Sequence, residues 1–462
     1  MIRLCKSGLR LGVLVLSLVW AGGPGLAKAG EANPEPRPNT PIEHFIVEMQ
    51  ENHTFDNYFG AYPGADGIPP GTCMPVDPSN ADNAACVEPF HIGDYPVEDL
   101  DHSTSTFALQ YNEGRLDGFV YALHQRNQDG ALAMGYYDDQ ELPYYWNVAD
   151  EFVLFDRFFT SAAGGSLENH MYWVAGATGS DDGRVPPDGF TVPTIFDRLE
   201  ERGISWKFYV QNYDPTITYR RRDGLGNRSS QVIWVPLLNY NRFLDDPNLS
   251  QHIVDLNEYF EDLENGTLPA VAYIVPSGAS EHPPGSIQSG QKFVKSLIQA
   301  LMRSEAWSSS AFMWTYDDWG GWYDHVPPPQ VDAYGYGFRA PALLVSAYAR
   351  RGYVDSTELD FTSFLKFIEE NWDLEPLAER DARANNFLTA FDFSQPPRQP
   401  FLIPFARQAA QQLAEPRRVV IYAAYGGALV FAGLVLALAR FGVGRLGRRS
   451  AHRQLPHEGA EP

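Results

Sequence analysis

Cysteine is scarce in this sequence: there are three in 462 residues. That excludes a disulfide-dense secreted scaffold. No Cys or His pair near them has zinc-finger spacing. Cys5 falls in a segment expected to be removed, which leaves Cys73 and Cys86 in a loop-like stretch with Pro, Asp and Asn. Two cysteines in an exported chain most simply make one disulfide that closes a short loop. Basic side chains are also few, 35 Lys and Arg against 58 Asp and Glu. Four of the bases lie in residues 1–29, and seven lie with two acids in residues 417–462. The part between therefore holds 24 bases and 56 acids, a net of −32. Such an acidic body lacks the footprint for a sequence-independent hold on nucleic acid. It is compatible with a site that works through a cation.

Both ends carry apolar runs. Residues 1–29 read as a secretory signal: Arg3, Lys6 and Arg10, an apolar stretch over 11–21, and Ala27-Lys28-Ala29 as a cleavage site. Residues 30–40 are polar, Pro-rich and aperiodic, hence a linker, and 395–418 read as a Pro-rich stalk. Residues 419–439 carry no charge over a length close to the ~20 residues a bilayer span needs. Arg417 and Arg418 precede them, and Arg440, Arg445, Arg448, Arg449 and Arg453 follow. The heavier basic side predicts a cytoplasmic tail over 440–462, with the rest of the chain extracytoplasmic.

Residues 41–394 alternate strand and helix patterns. Strand patterns stand at 45–49, 151–156, 204–210, 271–276, 311–316 and 341–347. Helix patterns stand at 167–173, 194–202, 252–263, 291–307 and 362–372. The alternation predicts an α/β domain with a mostly parallel central sheet and helices on both faces. Residues 213–247 are long, polar and irregular, and suit a lid or specificity insertion. Its Arg220-Arg221-Arg222 run suits a solvated face or an anionic substrate.

Three strand patterns end in polar clusters. The first is Glu51-Asn52-His53-Thr54. Adjacent side chains on a strand point to opposite faces, so Glu51 and Asn52 reach one ion only if the backbone turns there. The second is Glu281-His282-Pro283-Pro284. The third is Asp317-Asp318-Trp319-Gly320-Gly321-Trp322-Tyr323-Asp324-His325. Adjacent carboxylates at the end of a buried strand repel unless a cation lies between them. All-oxygen ligands suit a hard or borderline divalent ion. Gly164-Gly165-Ser166 leads into a helix pattern, where amides and the helix dipole favour an anion. Read alone, the same segment also fits a serine that merely caps a helix.

The segments Glu51-Asn52-His53-Thr54-Phe55-Asp56-Asn57-Tyr58-Phe59-Gly60, Glu281-His282-Pro283-Pro284 and Thr315-Tyr316-Asp317-Asp318-Trp319-Gly320-Gly321-Trp322-Tyr323-Asp324-His325-Val326 resemble the phosphoesterase family of bacterial phospholipases C and related acid phosphatases, within the alkaline-phosphatase-like superfamily. The resemblance implies that Glu51, Asn52, Asp317 and Asp318 hold one divalent metal ion (Ca, Mg, Mn or Zn). It implies that Ser166 is the nucleophile and that His102, His282 and His325 surround the phosphoryl group. Either His282 or His325 then protonates the leaving alcohol. Asn169, His170 and Asp324 are expected to contact substrate. The family often has Pro-Asn-Arg after its nucleophile; here Glu168-Asn169-His170 stands there. The expected activity is phospholipase C-type hydrolysis of phospholipid head groups through a phosphoserine. The alternatives are an acid phosphatase acting on monoesters and a membrane-anchored binding protein that has lost the chemistry.

Overall fold

The computed structural model describes residues 35–80, 85–93, 96–180 and 184–407. The central sheet has eight strands: β1 His44–Gln50, β2 Val153–Phe155, β3 Trp206–Val210, β4 Ile253–Asp255, β5 Val271–Val275, β6 Ser310–Tyr316, β7 Ala342–Ser346 and β8 Tyr353–Asp355. Their order is β8-β2-β7-β6-β1-β5-β3-β4. Five of the seven neighbouring pairs are parallel; the exception is β7, which runs antiparallel to both β6 and β2.

The middle strands are buried on both faces. Every residue of β5 and β6 is buried, as expected of parallel strands between helical layers. On one face, Phe45 of β1 packs against Phe364 and Phe367 of a helix over Phe361–Trp372. On the other, Trp314 of β6 packs against Tyr145 in the helix Pro143–Glu151 and against Phe59. The sheet therefore carries helices on both sides.

Register places the polar clusters. β1 and β6 pair in parallel from His44–Ser310 to Gln50–Tyr316. The next residues, Glu51 and Asp317, thus leave the sheet side by side. β5 flanks β1 on its other side, with Glu48 opposite Ile274. Its chain returns to the same edge, where the Ser280 carbonyl accepts the Glu51 amide at 3.1 Å. Ligands in open α/β sheets gather at such carboxyl ends.

Several expectations change. Residues 252–263 are not one helix. Ile253–Asp255 form edge strand β4, and the helix spans Asn257–Asn265. β8 had no sequence signal of its own. Residues 213–247 are not a loose flap. They hold short helices whose Val232, Val235, Leu237, Leu238, Tyr240 and Phe243 are buried. Arg220 is exposed and pairs with Asp245, so it belongs to a solvated face. Residues 395–407 of the expected stalk lie against the domain: Phe401 stacks on Phe152, and Asn147 donates to the Pro404 carbonyl at 3.0 Å. The end of the expected linker is tied down too, with Thr40 Oγ1 donating to Asn371 at 2.7 Å. Cys73 and Cys86 form a disulfide with Cα atoms 5.4 Å apart. The expected signal and the apolar span over 419–439 lie outside the described residues. Among the described residues no helix is long and apolar enough to cross a membrane.

Candidate active site

The bend after β1 is real: Asn52 has φ +66°. That left-handed turn is unusual for a residue other than glycine. It brings Asn52 beside Glu51 instead of on the opposite face. The Asn52 amide donates to Asp317 Oδ1 at 3.1 Å. The second bend needs glycine: Gly320 has φ +58°, and a Cβ there would come within 2.5 Å of the Asn52 carbonyl oxygen. Asp318 takes the Gly320 amide at 2.8 Å.

Glu51, Asn52, Asp317 and Asp318 are all buried. Among the described residues no Lys or Arg pairs with the three carboxylates; the histidine His102 faces Asp318. Burial and then the charges of Asp317 and Asp318 hold the Glu51 carboxyl well above its usual range. Burial and then Asp317 push Asp318 up to about 7. Asn52 Oδ1 and Asp317 Oδ2 are buried without a hydrogen-bond partner. Buried oxygens rarely stay unpaired. Unpartnered oxygens amid crowded carboxylates fit a hard divalent cation.

Ser166 opens the helix Ser166–Ala175, but it does not cap it. Gly165 is the N-cap, with no side-chain cap bond. The Ser166 hydroxyl instead donates to Asp318 Oδ2 at 3.1 Å. The alternative of a mere capping serine is therefore set aside. His102 lies beside this group, its Nε2 3.5 Å from Asn52 Nδ2. Its Nδ1 donates to the Leu100 carbonyl at 2.7 Å. Burial lowers its proton affinity, but the Asp318 charge and the Leu100 bond outweigh that and hold it above the usual value. His282 meets His102 edge-on, with ring centres 6.0 Å apart, and donates Nδ1–H to the Pro283 carbonyl at 2.8 Å. Ser166, His102, Asp99, Asp101, Arg126 and Gln128 line an open cavity of about 490 Å³. A larger one, about 650 Å³, lies against Phe260, Leu263 and Arg303 and holds none of these groups. Chemistry, not volume, picks the site.

Four expected site residues sit elsewhere than foreseen. Asn169 is turned into the loop before Ser166. It is fully buried, accepts the Ala162 amide at 2.9 Å and donates to the Gly164 carbonyl at 3.1 Å. It clamps the serine loop, whose backbone groups need partners. His170 is fully buried beneath the acids, with Nε2 3.4 Å from Glu51 Oε1 and 3.7 Å from Asp317 Oδ2. Burial pushes it down to about 4, so it is a neutral imidazole. With Glu51 and Asp317 it makes a group whose ligand atoms lie within 4.8 Å of one another. Asp324 is buried and bonded to Arg339 at 2.9 Å. His325 is held between Asp56 at 2.7 Å and Asp66 at 3.3 Å. Asp324 and His325 thus form a second ionic knot around buried Arg339, because the chain turns after Gly321 and carries them to the start of the first motif.

Sequence reasoning missed Arg339 and Asp56, which lie far apart in the chain. It also missed Trp234, which hydrogen-bonds Glu51 from inside the 213–247 segment. Asp56 stands within the first motif but carried no assigned role, and no local pattern marks Arg339 or Trp234.

Residues 42–375 match the Phosphoesterase family. The chain is 29% identical to phospholipase C A of Mycobacterium tuberculosis over 451 residues, 84% of each chain. It is 26% identical to non-specific phospholipase C1 of Arabidopsis thaliana, covering 78% of this chain and 72% of that one. The non-hemolytic phospholipase C of Burkholderia pseudomallei is 27% identical, covering 77% of this chain and 59% of that one. Among solved structures, a Vibrio parahaemolyticus protein of the alkaline phosphatase superfamily aligns with a TM-score of 0.34 and 11% identity, over 73% of this chain and 66% of that one. With its motifs at the carboxyl edge of the sheet and the match spanning most of its length, the chain belongs to the phosphoesterase family and is a phosphoric ester hydrolase.

Proposed function

We propose that the protein is a membrane-anchored, metal-dependent phospholipase C that releases phospholipid head groups through a phosphoserine on Ser166, with its catalytic domain outside the cytoplasm. The observation that carries this reading is the Ser166 hydroxyl, 3.1 Å from Asp318 at a helix start, beside unpartnered Asn52 Oδ1 and Asp317 Oδ2. Glu51, Asn52, Asp317 and Asp318 would hold one divalent ion, with His170 close enough to join them. Such an ion supplies positive charge beside the phosphoryl group and favours the ionised serine.

The chain's own groups do the rest. Amides at the start of the Ser166 helix receive the phosphoryl oxygens. The Ser166 proton leaves along its bond to Asp318 as Oγ attacks phosphorus. The bond from phosphorus to the leaving oxygen breaks, and that oxygen takes a proton from His282. Water then attacks the phosphoserine and gives a proton back to His282, while the bond from phosphorus to Ser166 Oγ breaks and that oxygen recovers its proton from Asp318, which restores the enzyme. His282 is preferred to His325 for this role because it stands against His102, which lines the cavity with Ser166, whereas His325 is locked between two carboxylates. The relatives' names support a phospholipid substrate.

Ser166→Ala should cut hydrolysis of a phosphatidyl lipid and of a chromogenic ester by at least ~100-fold, about 2.7 kcal/mol of barrier. A much smaller loss would mean that another residue attacks. Turnover of monoesters alone by the unaltered protein would identify an acid phosphatase instead, and turnover of neither class a binding protein.

A further inference from the structure

The three motif segments meet twice. They meet at the acid cluster, and again at Glu281. Glu281 is 1% exposed. Tyr58, from the first motif, donates to its Oε2 at 2.6 Å, and Tyr316, the residue before Asp317, donates to Oε2 at 2.5 Å. Tyr145 donates to Oε1 at 2.5 Å. Three phenol protons thus converge on two carboxylate oxygens. Room for the side chain exists because residue 290 is glycine; a Cβ there would come within 1.9 Å of Glu281 Oε1.

A buried carboxylate is costly to keep, and packing alone would be met by an apolar residue. The backbone shows what the grip holds. Glu281 has φ +62°, a conformation that persists in such a residue only when its surroundings enforce it and that clusters at functional sites. The residue before it takes the Glu51 amide, and the residue after it is His282. The Glu281 side chain touches neither the cavity nor the acids of the metal-ligand set.

We propose that Glu281 is a positioning residue: held by Tyr58, Tyr145 and Tyr316, it locks the left-handed turn that aims the His282 imidazole at the leaving oxygen. This rests on His282 being the acid in the reading above. Glutamine at 281 keeps the size but offers one acceptor oxygen to three phenols, so the grip loosens while the volume stays filled.

The test compares two esters that share a phosphoryl part and differ in leaving group. One releases p-nitrophenol, which departs without help; the other releases a simple alcohol, which needs a proton. For the full-length protein in detergent, Glu281→Gln should lower kcat by about 10- to 100-fold on the alkyl ester and by only a few-fold on the nitrophenyl ester. KM should stay within about twofold. His282→Ala should show the same selectivity, and the two losses should not add in the double variant. Tyr145→Phe, which removes one phenol proton, should show a smaller effect with the same selectivity, and it serves if Glu281→Gln does not fold. Equal losses on both esters in the Glu281 and Tyr145 variants, with His282→Ala still selective, would overturn the positioning role alone. Equal losses on both esters in His282→Ala would overturn the acid assignment and the positioning role together.

Discussion

Arg339 shows what one buried side chain does in this site's surroundings. It is fully buried, pairs with Asp324 at 2.9 Å and Asp56 at 3.0 Å, and donates to the Asp156 carbonyl at 2.7 Å. Its plane also lies over the Phe55 ring, 4.5 Å from the centre. Removing one partner of such a group strands the other charges, which typically costs about 3–5 kcal/mol. Arg339→Met should lose about that much stability in urea unfolding; a loss below about 1 kcal/mol would show the knot to be solvated. Asp324→Asn should likewise lower stability while leaving KM within about twofold, since Asp324 is fully buried and bonded to Arg339. A large rise in KM with unchanged stability would restore its expected substrate role. At this scale the sequence was informative where chemistry was local. Glu51-Asn52 announced a required bend, and Asn52 has it. Arg339 carried no such mark, because its partners lie 15 and 283 positions away.

At the scale of an element, the helix Phe361–Trp372 carries a liability. Its Glu369 is 2% exposed and lies against the Asp381 carboxyl. Burial, and then the neighbouring Asp381, push it up to about 9 from 4.5. The native carboxyl therefore keeps its proton at pH values where the unfolded chain has released it. Between about pH 4.5 and 9 the unfolded state binds fewer protons, so stability falls as pH rises. Glu369→Gln has no proton to lose. Its advantage over the unaltered protein should be near zero at pH 5 and grow to about 1–3 kcal/mol at pH 8. Thermal unfolding followed across that range checks it, and a difference that does not change with pH would contradict it. Elements with long runs of one period were legible from sequence, β1, β6 and the helix Ile287–Arg303 among them. Three-residue β4 and β8 were not, since so short a strand shows no alternation to read. Residues 213–247 misled because their polar surface hides a buried apolar side packed against the Ser166 helix; Tyr240 reaches Met171 there.

For the whole molecule, parallel pairing decides the site. Adjacent parallel strands release their ends at one edge, so residues 51–52, 280–282 and 317–318 meet although more than 260 positions separate the first from the last. That convergence was legible from alternation and strand-end chemistry. The Glu281 cradle was not, because its three tyrosines come from segments that no local pattern joins. The neutral His170 under the acids was equally hidden; only burial turned an expected substrate contact into a neighbour of the ligand set. The central claim is that these distant acids form one cation site beside Ser166. Metal content of the purified full-length protein, measured against Ser166→Ala and Asp317→Asn after exhaustive dialysis, tests it most directly. The account predicts about one divalent ion per chain in the unaltered protein, about one still in the inactive Ser166→Ala, and almost none in folded Asp317→Asn. A chain that stays metal-free yet fully active, or an Asp317→Asn variant that keeps its ion, would contradict it.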